Sequence, residues 1–186
     1  MLFKAPGKQN GSMIITMSAL LITLIGFAAL VVDVGHLMIA RNELQNAADA
    51  AALAGANCLN KGIDCTSVPS AIPSETQRWA IASTKANNAI GLNKADGATL
   101  VDATITTGYK NLTGTPADLQ PITLIPTLGD RPGVMVSLSK ASGQNGGPVQ
   151  MLITAMFGAA ALPITVNAVA VLYSPDSGMP HARLAQ

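Results

Sequence analysis

Aromatic residues make up only 3% of this chain and charged residues only 11%. Once Lys4 and Lys8 are set aside, nine basic residues face nine acidic ones beyond Asp33, out of 11 and 10 in the whole chain. That balance leaves no basic patch to steer a polyanion, so a nucleic-acid partner is not expected. Histidine and cysteine are scarce as well. His36 and His181 are remote from each other, and Cys58 and Cys65 alone are too few for a metal site. No G-x-S-x-G elbow occurs, and neither histidine has a nucleophile and an orienting acid arranged around it. The glycine-rich GQNGGP at 143–148 lacks the lysine and the following helix of a phosphate loop. The expectation is a non-enzyme with no catalytic residues, no cofactor and no metal.

What the chain does have is apolar surface, 49% of its residues, concentrated in a proline-free stretch from Ser12 to Asn57. Met13 to Val32 contains no charge, and as a helix these residues span about 30 Å, the thickness of a bilayer's hydrocarbon core. Lys4 and Lys8 precede the run, and no basic residue follows until Arg41. By the positive-inside rule, residues 1–11 form a cytoplasmic tail and the C-terminal side faces outward. A cleaved signal peptide competes, but the run exceeds the roughly 7 to 15 residues of an h-region, and helical patterning crosses any cleavage point such as Ala28-Ala29. A retained anchor is the reading adopted.

Asp33 closes the apolar run. It is read first as the point where the membrane ends, and alternatively as a partner for a cation on a neighbouring helix. Beyond it, Val34, Leu37, Met38, Arg41, Leu44, Ala48, Ala51 and Ala52 recur at helical spacing, so the helix continues for about six turns outside the bilayer. Ala47, Ala51 and Gly55, and beside them Ala48, Ala52 and Ala56, form two rows of small residues that admit a second backbone. Either the protein's own second helix or sheet covers those rows, or another subunit does.

The block VVDVGHLMIARNELQNAADAAALAGA, following this apolar helix, resembles the N-terminal segment of the Tad (tight adherence) Flp pilus-assembly family, the TadE/TadG-like proteins. There a transmembrane helix runs into a V-D-x-G motif and then L-Q-x-A-A-D-A-A-A-L-A-x-A. In this sequence those positions are Val32, Asp33 and Gly35, then Leu44, Gln45, Ala47, Ala48, Asp49, Ala50, Ala51, Ala52, Leu53, Ala54 and Ala56. The resemblance implies a single-pass protein of the bacterial inner membrane, with its C-terminal domain periplasmic and no catalytic role. Its implied partners are other pilus-assembly or pilin proteins; self-association through the N-terminal helix belongs to the alternative in which another subunit covers the small-residue rows. It also implies the short form of the family, since no von Willebrand A domain or Asp-x-Ser-x-Ser motif is present.

The runner-up is a pilin-like or minor pilin subunit that enters the filament and becomes extracellular. Type IV pilins are processed after a Gly and normally carry Glu at the fifth mature position, whereas cleavage between Gly11 and Ser12 would put Thr16 there. A secreted soluble domain, cleaved near residue 29, is a third class.

The expected fold is α+β: a cytoplasmic tail at 1–11, the transmembrane helix and its extension at 12–57, a small ectodomain at 58–173 and a flexible tail at 174–186. The ectodomain should hold a second helix and a 3–4-stranded, mainly antiparallel sheet. On an oxidising side of the membrane Cys58 and Cys65 could close a small loop that pins the long helix, two free thiols being the alternative. Ser74 and Gln77 stand in capping-box spacing, with Glu75 in the first turn and Gly91 as a stop. Trp79, Ala82, Ala86, Ala89 and Ile90 make the apolar side of that helix. Strands are expected at 98–107, weakly at 122–128, around Val134, Val136 and Leu138, and at 163–173. A short helix is expected from Met151 to Phe157, closed by Gly158. Tyr109 to Pro121 and Gln144 to Pro148 read as loops, the latter without an assigned role.

Overall fold

A computed structural model describes residues 12–60, 65, 74–114, 118–151, 155, 158, 161–173 and 181–184. The elements in chain order are α1 (Ser12–Asn57), α2 (Glu75–Ile90), β1 (Lys94–Ala95), β2 (Ala98–Thr99), β3 (Ala103–Asn111), β4 (Asp130–Lys140), β5 (Val149–Gln150), β6 (Ala161–Leu162), β7 (Ile164–Tyr173) and β8 (His181–Leu184). Strands β3, β4, β7 and β8 pair in that order as a four-stranded antiparallel sheet, and β1–β2 and β5–β6 are two-stranded hairpins. The class is the expected α+β.

Helix α1 is unbroken over 46 residues because the segment has no proline and is built from strong helix formers. At ~1.5 Å per residue it is about 69 Å long. Helix α2 starts where its capping box predicts. The Ser74 hydroxyl accepts from the Gln77 N–H, and the Ser74 N–H donates to the Gln77 side chain, which satisfies two of the amides left open at a helix start. Gly91 ends the helix in a right-handed conformation.

Both helices lie on one face of the sheet, α1 against β4 and β7 and α2 beside it against β3. Strand alternation turns Val134, Val136, Leu138 and Lys140 inward on β4. Ile105 and Thr107 of β3 and Ala168 and Ala170 of β7 stand opposite Val136 and Val134 on that same face. Leu44, Ile90, Leu100 and Leu138 are fully buried between the layers, each contributing about 1.5–3 kcal/mol of hydrophobic stabilisation. The Trp79 and Tyr109 rings meet edge to face at 5.4 Å.

Helix α1 runs antiparallel to β4. Glu43 accepts from the Asp96 N–H, and Asp96 lies beside Lys140 at the end of β4. Twelve residues further along α1, Gly55 sits against Val134, near the start of that strand. The apolar half of α1 therefore leaves the head at the Lys140 end. Cys58 and Cys65, joined at an S–S distance of 2.08 Å, lie at the opposite tip.

Several local expectations need correction. The strand expected at 98–107 is two elements separated by Leu100–Asp102, and β3 runs on to Asn111, so Tyr109 belongs to the sheet. Segment 122–128 is not a strand: it turns, and leaves Ile122, Ile125 and Leu128 exposed. Within the expected tail, His181–Leu184 forms the edge strand β8. The helix expected at 151–157 falls largely outside the described residues, as do the 1–11 tail and the Gly11 processing point. Gly158 adopts a left-handed conformation and its N–H donates to Ala155 O.

Candidate functional site: the membrane helix and its seam with the head

The first half of α1 is bare. Met13, Ile14, Ile15, Met17, Leu20, Leu21, Ile22, Leu24, Ile25 and Phe27 are all exposed, and the helix is long and apolar enough to cross a membrane. Its hydroxyls are satisfied internally: Ser18 Oγ donates to Ile14 O and Thr23 Oγ1 to Ala19 O, each at 2.8 Å. A segment in hydrocarbon needs such internal pairing, since no water is available there.

The packed face begins earlier than the sequence suggests. Ala29 and Asp33, one turn apart, are already buried, and the stripe continues through Ala40, Leu44, Ala47, Ala48, Ala51, Ala52 and Ala56. Asp33 is only 1% exposed, which overturns its reading as a carboxylate reaching interfacial water at the membrane edge. It is a buried, engaged group on the head-facing side of the helix. The opposite side stays apolar beyond it: Val31, Val34, Met38 and Ile39 are exposed, and Arg41 is the first exposed residue with a permanent charge.

The two small-residue rows are covered from within. A Cβ placed on Gly55 would lie 2.9 Å from Ala82 O, 3.1 Å from Ala86 Cβ and 3.2 Å from Val134 Cγ1. The α1–α2 crossing is thus built on the absence of a side chain there. Ala47, Ala48, Ala51, Ala52 and Ala56 join the same core, with Leu53 half-buried against it. The intramolecular alternative holds, and these rows are unavailable to a second subunit. Gln45 and Asp49 serve the seam too: Gln45 Nε2 donates to Asp49 Oδ1 at 2.9 Å and to Asn167 O of β7 at 3.3 Å.

Gly35 differs from the other signature positions. Nothing lies within 4 Å of where its Cβ would be, and it sits among Val31, Val34, Met38 and Ile39 on the exposed side. The head's own packing does not require a glycine there.

A polar cluster fastens α1 near its exit from the head. His36 Nε2 lies 2.8 Å from Asp96 Oδ1, and Lys140 Nζ stands 3.9 Å from Asp96 Oδ2. Lys140 is buried, and its ammonium donates to Asn145 O at 2.8 Å and Ala95 O at 3.3 Å. The Asn145 side chain accepts from the Val101 and Asp102 N–H groups and donates to Asp102 O and Ser139 O. Asn145 is therefore a buried polar plug, while its neighbours Gln144 and Gly146 stay exposed. The sequence reading missed Lys140 and Asn145, although the inward alternation Val134, Val136, Leu138 already pointed the lysine inside. Among the described residues no three His, Cys, Asp or Glu side chains come together as metal ligands.

Residues 11–57 match the family model described as putative Flp pilus-assembly TadE/G-like. No curated protein matches the chain, and no solved structure does. The matched region coincides with α1, from the bare apolar half to the last turn of the packed stripe, with its signature residues divided between the core, the seam and the exposed face around Gly35. Over this segment, about a quarter of its length, the chain is similar to the TadE/G-like family.

Proposed function

We propose that the protein is a membrane-anchored, non-catalytic component of Tad/Flp pilus assembly that works by protein–protein contact. Its N-terminus lies on the cytoplasmic side of the bacterial inner membrane and its head in the periplasm. The family match supports the pilus setting, and the cationic Lys4 and Lys8 before the span support the orientation. The contact mode rests on one observation: the exposed apolar side of α1 continues past Val32 to Ile39. From Met13 to Ile39 the helix rises about 40 Å, against about 30 Å of hydrocarbon. Lipid alone would cover that length only at a tilt of about 40°, the limit of the observed range. A partner helix packed around Val34, Gly35, Met38 and Ile39 covers the excess without it.

The test is Met38→Glu in the full chain. The head stays folded and the protein stays in the membrane fraction, while co-purification with other pilus components and the number of surface pili fall sharply. Normal assembly in this variant would sink the contact reading. Orientation is read separately, since Cys58 and Cys65 resist maleimide labelling without reductant only when the head is exported.

A pilin-like subunit is the second reading. It is favoured by the continuity of α1, one helix that both carries the apolar half and packs on the sheet. Recovery of the chain from sheared filaments with Ser12 as its N-terminus supports the pilin. An intact N-terminal tail in the membrane fraction supports the anchor.

A further inference from the structure

At the tip farthest from the membrane, where α1 ends, a cleft of about 720 Å³ opens between α2, β3 and the segment leading into β4. That volume is within the range of sites that hold small ligands. Trp79 and Tyr109 form one wall, Leu59 and Leu172 contribute apolar surface, and Pro126 to Leu128 form the lip. The lip and the residue before it carry exposed apolar groups that the fold does not use: Leu128 is 95% exposed and Ile125 89%. Leu112 and Ile122 extend the exposed apolar surface within the same connection between β3 and β4. An apolar patch beside a cleft marks an interaction surface.

The charges at the cleft are unequal. Arg78 and Arg131 line it with a single carboxylate, Asp130. Both Asp130 oxygens are occupied, Oδ1 by Gln120 Nε2 and Oδ2 by the Thr127 N–H and hydroxyl. Arg78 uses Nη1 on Asn60 O. Arg131 lies 5.9 Å from the Tyr173 ring centre, and its Nε has no hydrogen-bond partner. Neither arginine enters an ion pair among the described residues. A purely apolar occupant would cover these cations uncompensated, at a desolvation cost that an anion offsets.

We infer that this cleft docks an extended peptide segment of a partner protein in which an acidic side chain stands among aliphatic ones, the carboxylate facing the arginines and the aliphatic groups lying along Trp79 and Leu128. This site is separate from the membrane-proximal face of α1, so its failure leaves the anchoring proposal intact, and the reverse.

Trp79 is the chain's one tryptophan, so its emission reports on the cleft directly. The full chain in lipid nanodiscs is titrated with capped hexapeptides that pair Leu, Ile or Val with one Glu or Asp, and with matched peptides carrying Gln or Asn. The expected result is a saturable change in Trp79 emission for acidic peptides, at dissociation constants of about 0.1–1 mM, typical of short segments without preorganisation. Binding weakens at least tenfold for the amide peptides and for Arg131→Gln. Leu128→Ser, at a position that packs nothing, weakens it while the thermal unfolding midpoint is unchanged. No saturable response up to several millimolar overturns the proposal, as does equal binding of acidic and amide peptides. An emission change that tracks protein concentration without peptide also overturns it, because the cleft would then be serving a second copy of the chain.

Discussion

The Asp96 carboxylate lies 2.8 Å from His36 Nε2, across 60 residues of sequence, and so ties the Asp96-Gly97 turn to α1 close to its bare apolar half. Asp96 has a positive φ of 52°, a conformation Asn also tolerates, so Asp96→Asn removes the charge and leaves the turn intact. The His36 and Asp96 side chains are 35% and 21% exposed, and solvent screening holds such a pair to below about 1 kcal/mol. The Glu43 bond to the residue-96 N–H survives. The same carboxylate stands 3.9 Å from the buried Lys140 ammonium, so the variant leaves that cation without its carboxylate. It should lose more unfolding free energy than the His36 contact alone is worth, with amide exchange at 94–99 quickening because the tie between that hairpin and α1 is weaker.

At Gly55 the expectation is steric. Gly55→Val places methyl groups where Ala82 O, Ala86 Cβ and Val134 Cγ1 already crowd the backbone. Overpacking of this kind costs about 1–3 kcal/mol. Chemical denaturation of the full chain should show a lower midpoint, with α2 rather than the membrane half of α1 losing protection first.

Acid should loosen the connection between β3 and β4. The Thr127 N–H, then its hydroxyl, then Gln120 hold the Asp130 carboxyl below the usual carboxylate range, against the effect of its burial. A lowered folded-state pKa adds stability that is fully present above the unfolded value of about 3.9 and is lost as pH falls through the folded value. Stability measured below about pH 4 should drop as acid is added, and Asp130→Asn, which has nothing to titrate, should make that slope shallower.

Much of this architecture was legible because its determinants are local. The span of α1, the Ser74–Gln77 capping box and the strand ending at Tyr173 each follow from residues within a few positions of one another. What was not legible depends on distant partners. Residues 98–107 alternate like one strand, but the Asn145 amide, more than forty residues away, takes the Val101 and Asp102 N–H groups and breaks the ladder. Strand β8 has little pattern of its own and exists through pairing with β7. Asp33 closes the apolar run in sequence, and only the fold shows that it faces the head. The Ala-rich rows declared that a backbone comes close, and the fold supplied α2 as that backbone.

Gly35 is the signature position whose role the fold does not absorb. With nothing within 4 Å of its would-be Cβ, Gly35→Leu should leave the head's unfolding midpoint unchanged, and removing a mid-helix glycine should add up to about 1 kcal/mol of helix stability. If the face around Val34, Met38 and Ile39 takes a partner helix, that same leucine blocks close backbone approach. The variant should then be at least as stable and as membrane-bound as the parent while pilus assembly fails, with Gly35→Ala intermediate. Wild-type assembly with Gly35→Leu would show that this face meets only lipid. A fall in head stability would show instead that the glycine serves the chain's own packing.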